Sequence, residues 1–132
     1  MEFTLRTEEG DYNVQAHVRL VGRDVLVAIS GGEKPHIGAV AVAQPRPSLR
    51  NPELVSSTAS VFCFPGHKED DLAKAAALKL SAALDANAVV TAGIHWDRLD
   101  SEGIRAVIRN TQILVDMILA RLSPVPSGKF PV

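Results

Sequence analysis

The sequence predicts an α+β fold: a mostly antiparallel sheet of about six strands, in the order β-β-β-β-β-α-β-α, with two helices packed on one face. Three observations carry it. Apolar runs of strand length fill the first half of the chain and recur only once afterwards. Apolar residues at helical spacing occur in just two stretches, both in the second half. The turn signals Glu9-Gly10-Asp11 and Gly22-Arg23-Asp24 join the first three strands as hairpins, so an antiparallel meander precedes the helices.

Residues 2–8 and 11–21 read as the first two strands, because Phe3 and Leu5, then Tyr12, Val14, Ala16, Val18 and Leu20, alternate with polar neighbours. His17 falls on the polar face of the second. The third strand, Arg23 to Ser30, and the fourth, Ile37 to Ala43, are apolar without alternation, a pattern that implies burial on both faces. The segment Gln44 to Pro52 contains prolines that lack donors and is expected to leave the ladder as an extended connector. Glu53 to Phe64 returns as a fifth strand, rich in hydroxyls at Ser56, Ser57, Thr58 and Ser60. A first helix from about His67 to Asp85 buries a narrow face of Leu72, Ala76, Leu80, Ala83 and Leu84, with Glu69, Asp70 and Asp71 complementing the positive end of its dipole. Ala88 to His95 makes the sixth strand. Asp100 or Ser101 caps a second helix to about Leu122, with a broad stripe through Ile104, Val107, Ile108, Leu114, Val115, Ile118, Leu119 and Leu122.

These elements place one domain at residues 1–123, followed by an irregular tail at 124–132. Two helices cannot cover both faces of six strands, so the face left open is expected to meet a second copy in a homodimer or higher oligomer. Hydrophobic residues make up 46% of the 132 and charged residues 22%, an ordinary globular mixture. A net charge of −1 supplies no basic field for nucleic acid or an anionic membrane. The single Cys63 excludes an internal disulfide, and no segment reaches the roughly 18 apolar residues of a membrane span. The N-terminal residues lack the pattern of a secretory signal. A cytoplasmic location is the expectation.

Chemistry concentrates in Ser30 to Ser48, where a glycine turn, Lys34, His36 and Arg46 bracket a strand. Two later segments echo it: Pro65-Gly66-His67-Lys68-Glu69-Asp70 and Gly93-Ile94-His95-Trp96-Asp97. A phosphate site fits the amides of Gly31 and Gly32 beside Ser30, with Lys34, Arg46 and Lys68 as cations. Arg46 is favoured because a guanidinium binds phosphate bidentately. The same residues also suit an ordinary Gly-Gly hairpin with solvated cations. His36, His67, His95 and Asp97 have the chemistry of a metal set, as a metal-dependent enzyme would need, but their spacing matches no local metal signature. Trp96 reads either as a stacking platform or as a plug at the strand end. No nucleophile elbow is present, and Cys63 sits in an apolar run that leaves a thiol inert.

The runs Glu33-Lys34-Pro35-His36-Ile37-Gly38-Ala39-Val40, Pro45-Arg46-Pro47-Ser48, Pro65 to Asp70 and Gly93-Ile94-His95-x-Asp97 together resemble the LpdD-like family. Its members are small proteins associated with gallate-type hydroxyaryl acid decarboxylases and described as prenylated-flavin chaperones. The resemblance spans roughly Asp11 to Leu122. It implies a non-enzymatic accessory protein that holds prenylated flavin mononucleotide or assists its loading into a UbiD-type decarboxylase, with the decarboxylase subunit as partner. Two other readings stay open: the metal-dependent enzyme and a docking subunit without ligand.

Overall fold

The computed structural model describes residues 1–66 and 69–123. The expected tail at 124–132 lies outside them. Strands β1 (Glu2–Arg6), β2 (Val14–Val21), β3 (Asp24–Gly32), β4 (Ala39–Pro47) and β5 (Val55–Cys63) precede helix α1 (Asp70–Leu84), strand β6 (Ala88–His95) and helix α2 (Ser101–Leu122). They form one six-stranded sheet in the order β1-β2-β3-β6-β4-β5. The pairing is antiparallel everywhere except between β3 and β6. The α+β class and the element order are those the sequence predicts.

Period-2 alternation decides which face the helices cover. Val14, Ala16 and Val18 of β2, Val25, Val27 and Ile29 of β3, and Ala39, Ala41 and Ala43 of β4 are buried on that face. Helix α1 lies over β4, β5 and β6, and α2 over β1 and β2. Small residues are buried on both sides where α1 meets the sheet, Ala73, Ala76 and Ala77 on the helix and Ala39, Ala41 and Ala43 on β4, a combination that permits close approach. The large anchors are Leu80, Leu114 and Ile118, each fully buried, and burying a side chain of that size contributes about 1.5–3 kcal/mol.

Several boundaries differ from the expectation, for identifiable reasons. β1 stops at Arg6 and β2 starts at Val14 because the intervening turn is fixed by its own polar groups. Thr7 Oγ1 donates to Asn13 Oδ1 at 3.0 Å, Glu9 N–H donates to the same oxygen at 2.7 Å, and Asn13 Nδ2 donates to the Gly10 carbonyl at 2.8 Å. β4 does not end at Ala43; it pairs with β5 through Pro45↔Ser57 and Pro47↔Val55. The two prolines are two residues apart, so their missing donors fall on one side of the strand, and β6 no longer flanks β4 beyond Ala43. Ser30-Gly31-Gly32 is the end of β3 rather than a turn, with Gly31 paired to Val14 and Ile94. The fifth strand begins at Val55, the first helix at Asp70.

Burial on both faces of β3 and β4 is also corrected. Leu26 is 42% exposed and Val42 50% exposed, because their side chains stand on the face without helices. In α2 the buried stripe runs through Gly103, Val107, Asn110 and Thr111, leaving Ile104 and Ile108 exposed. Asn110 faces inward because its Nδ2 donates to the Tyr12 carbonyl at 2.7 Å, which ties α2 to the β1–β2 turn. Among the described residues no helix is long and apolar enough to cross a membrane.

Candidate functional site

β6 is inserted between β3 and β4, so the chain leaving β3 must cross the end of β6 before entering β4. Residues 33–38 make that crossing. Glu33 N–H donates to the His95 carbonyl at 2.8 Å on one side, and Gly38 N–H donates to the Ala92 carbonyl at 2.9 Å on the other. Between these clamps the His36 carbonyl occupies the space a β-carbon on Gly93 would need. Gly32 has φ +86, and a side chain there would overlap the His95 carbonyl. Glycine at 32 and 93 is therefore what lets the crossing segment lie against the sheet.

His36 fastens this segment to α1. A carbonyl only accepts, so His36 Nδ1 donates to the Lys34 carbonyl at 2.7 Å. Nε2 then faces Glu69 Oε1 at 3.0 Å. Both side chains are largely buried, 24% and 10% exposed. Glu69 stands immediately before α1 yet makes no side-chain capping bond; its carboxylate lies against Gly38, and a β-carbon there would displace it.

A second, exposed group lies beyond β6. His95 Nε2 pairs with Asp97 Oδ1 at 3.0 Å, and Lys34 Nζ approaches the same oxygen at 3.7 Å. The hydrogen bond from His95 holds the Asp97 carboxyl below its ordinary value, helped by a hydrogen bond from Glu33 and the charge of Lys34. Glu33 moves the other way, its carboxyl raised chiefly by the same bond to Asp97. Beside them Trp96 and Tyr12 meet edge to face, centroids 5.2 Å apart at 81°. Tyr12 packs against Gly103 in the first turn of α2, where a β-carbon would come within 3.2 Å of its ring.

Two cavities open at this end of the sheet, outside the carboxyl ends of the parallel pair β3 and β6, where open α/β sheets place ligands. One, of about 470 Å³, is lined by Asp11, Tyr12, Glu33, Trp96, Asp97 and Arg98. The other, of about 210 Å³, is lined by Arg6, Asn13, Val14, Gln15, Ser30, Gly31, Gly32 and Pro35. They adjoin along the chain, since Tyr12 and Glu33 line the first and their neighbours Asn13 and Gly32 the second.

Of the residues singled out in the sequence, Ser30, Gly31, Gly32, Lys34, His36, His95, Trp96 and Asp97 lie at this end. His67 and Lys68 are outside the described residues. Arg46 is not with them. It lies seven positions along β4 from Ala39, which pairs with Ala92, or roughly 23 Å of strand. There its Nε donates to Thr58 Oγ1 at 2.7 Å and its Nη1 to the Pro47 carbonyl at 3.1 Å. His36 and His95 engage different carboxylates, and among the described residues no three metal-ligating side chains are grouped to hold an ion. Arg6, Tyr12, Gln15 and Glu33 were not legible as site residues. Arg6 and Gln15 reach the site through strand register, Tyr12 through the β1–β2 turn and Glu33 through the crossing segment.

Residues 8–123 match the family model described as the prenylated flavin chaperone LpdD-like domain. Among curated proteins, the chain is 29% identical over 123 residues to Protein LpdD of Lactiplantibacillus plantarum, an alignment covering 93% of this chain and 87% of that one.

Proposed function

The chain belongs to the LpdD-like prenylated-flavin chaperone family, and from that premise we propose that it holds prenylated flavin mononucleotide in the cleft at the ends of β3 and β6 and passes it to a UbiD-type decarboxylase in the cytoplasm. The observation that carries this reading is the Tyr12–Trp96 pair at the mouth of a cavity of about 470 Å³. That volume lies within the usual range for small-molecule sites. An isoalloxazine needs an aromatic or apolar wall and hydrogen-bonding groups at its pyrimidine edge. Trp96 and Tyr12 supply the wall; Glu33, Asp97 and Arg98 supply donors and acceptors. The cleft is open to solvent, which suits a protein that must release its cargo. We further propose that two copies associate through the sheet face without helices.

Trp96 is the only tryptophan, so its emission reports directly on the cleft. Titrating the protein with prenylated flavin mononucleotide should quench that emission saturably, and the loaded protein should restore activity to a flavin-free decarboxylase. Tyr12→Ala, which removes the edge-to-face partner, should weaken binding by about 0.5–1.5 kcal/mol. Unquenched emission at millimolar flavin, with no transfer of activity, would remove the proposal. Iron or zinc retained stoichiometrically through dialysis would favour the metal-dependent alternative.

A further inference from the structure

The smaller cavity has a floor that the strand register builds. Arg6 of β1 stands opposite Gln15 of β2, Gln15 opposite Ser30 of β3, and Ser30 beside Gly93 of β6. Residues in register share a face, so Arg6, Gln15 and Ser30 form one polar row on the side of the sheet that carries no helix. At the fourth position the row is interrupted. Gly93 has no side chain, and the carbonyl of His36 fills its place, so the crossing segment with Pro35 rises as a wall beside the row.

We propose that this row is an anion subsite that takes a phosphate monoester, and that in the family's cofactor it holds the ribityl-phosphate end while the ring lies toward Tyr12 and Trp96. The identity of the whole ligand rests on the function proposed above; the anion subsite stands on its own geometry. Arg6 makes no ion pair with any acidic residue described, so its five donors are available. Ser30 and Gln15 add neutral donors beside it. The position is also fixed. Thr7, next to Arg6, is 1% exposed, and its N–H donates to the Val14 carbonyl at 3.0 Å while its hydroxyl accepts from Val14 N–H at 3.0 Å. A cation presented from a pinned strand end loses less entropy on binding than one on a free loop. Carboxylates line the larger cavity and not this one, so an anion is favoured at the Arg6 end and disfavoured at the Glu33–Asp97 end. That polarity orients an amphiphilic flavin in a single direction.

The test uses the full chain and three probes: inorganic phosphate, flavin mononucleotide and riboflavin. Amide resonances of Gln15, Ser30, Gly31 and Gly32 should shift with inorganic phosphate and with flavin mononucleotide, while riboflavin should perturb only the surroundings of Tyr12 and Trp96. The parent should prefer flavin mononucleotide over riboflavin by roughly ten- to a hundredfold, the scale of hydrogen bonds to a charged group, and the gap should narrow with added salt. Arg6→Ala should erase this preference while leaving riboflavin binding and the melting temperature in place, and Arg6→Lys should restore part of it. If phosphate shifts this row but no flavin binds, the flavin reading fails and the subsite survives. If flavin mononucleotide keeps its preference in Arg6→Ala, or loses it instead in Arg46→Ala, the subsite is not here.

Discussion

A side chain at position 93 would collide with the backbone of His36, and backbone atoms cannot swing aside as a flexible side chain can. Gly93→Ala must therefore lift the crossing segment, strain its bonds to Ala92 and His95, and disturb the His36–Glu69 contact together. Urea denaturation should show a loss of about 2–4 kcal/mol, at the upper end for a single substitution. A loss below about 0.5 kcal/mol would mean that the segment does not rest on Gly93. The sequence shows this glycine inside a Gly-x-His pattern beside a strand end, and that much is readable. Its reason is not, because the group it accommodates lies far away in the chain and arrives only when β6 inserts between β3 and β4. Arg6 and Arg46 invert the same lesson. A guanidinium in a Pro-Arg-Pro run draws attention to Arg46, whereas Arg6 is one polar residue on an alternating strand.

At the scale of elements, period and capping chemistry are local, and the elements they specify are the ones observed. Asp100 shows why. Its Oδ1 accepts from Gly103 N–H at 2.8 Å, satisfying one of the donors that a helix start leaves unpaired. Asp100→Ala should cost about 0.5–2 kcal/mol and fray the first turn of α2, and with it the Gly103 surface on which Tyr12 rests. Hydrogen exchange at Gly103 and Ile104 would detect this, and unchanged protection there would assign the start of α2 to tertiary packing instead. Boundaries were less legible than elements. The end of β4 was misplaced because a proline rule that holds between two neighbours does not hold where β6 has already stopped. The start of β2 moved to Val14 because Asn13 and Thr7 prefer each other to a strand partner.

Among the described residues no helix covers the second face of the sheet, and the middle of that face is apolar. Leu26, Val89 and Val42 lie in one row across β3, β6 and β4, and Phe62, 60% exposed, stands in the next row, opposite Val40. Six strands about 4.8 Å apart and up to nine residues long at about 3.4 Å each make a face of roughly 700 Å². A standard interface takes about 600–1,000 Å² from each partner, so a contact centred on the apolar row and covering most of this face falls within that range, and a two-fold contact buries the same apolar row from both sides. The Arg6–Gln15–Ser30 row is four residues further along β3 from Leu26, at the strand-end margin, so the contact leaves the anion subsite at its rim. Sedimentation at micromolar concentration should give a dimer. Val42→Asp should convert it to a folded monomer, because Val42 stands in the middle of the bare face and takes no part in the core. A parent protein that sediments as a monomer would remove the second copy as occupant and leave this face to the decarboxylase.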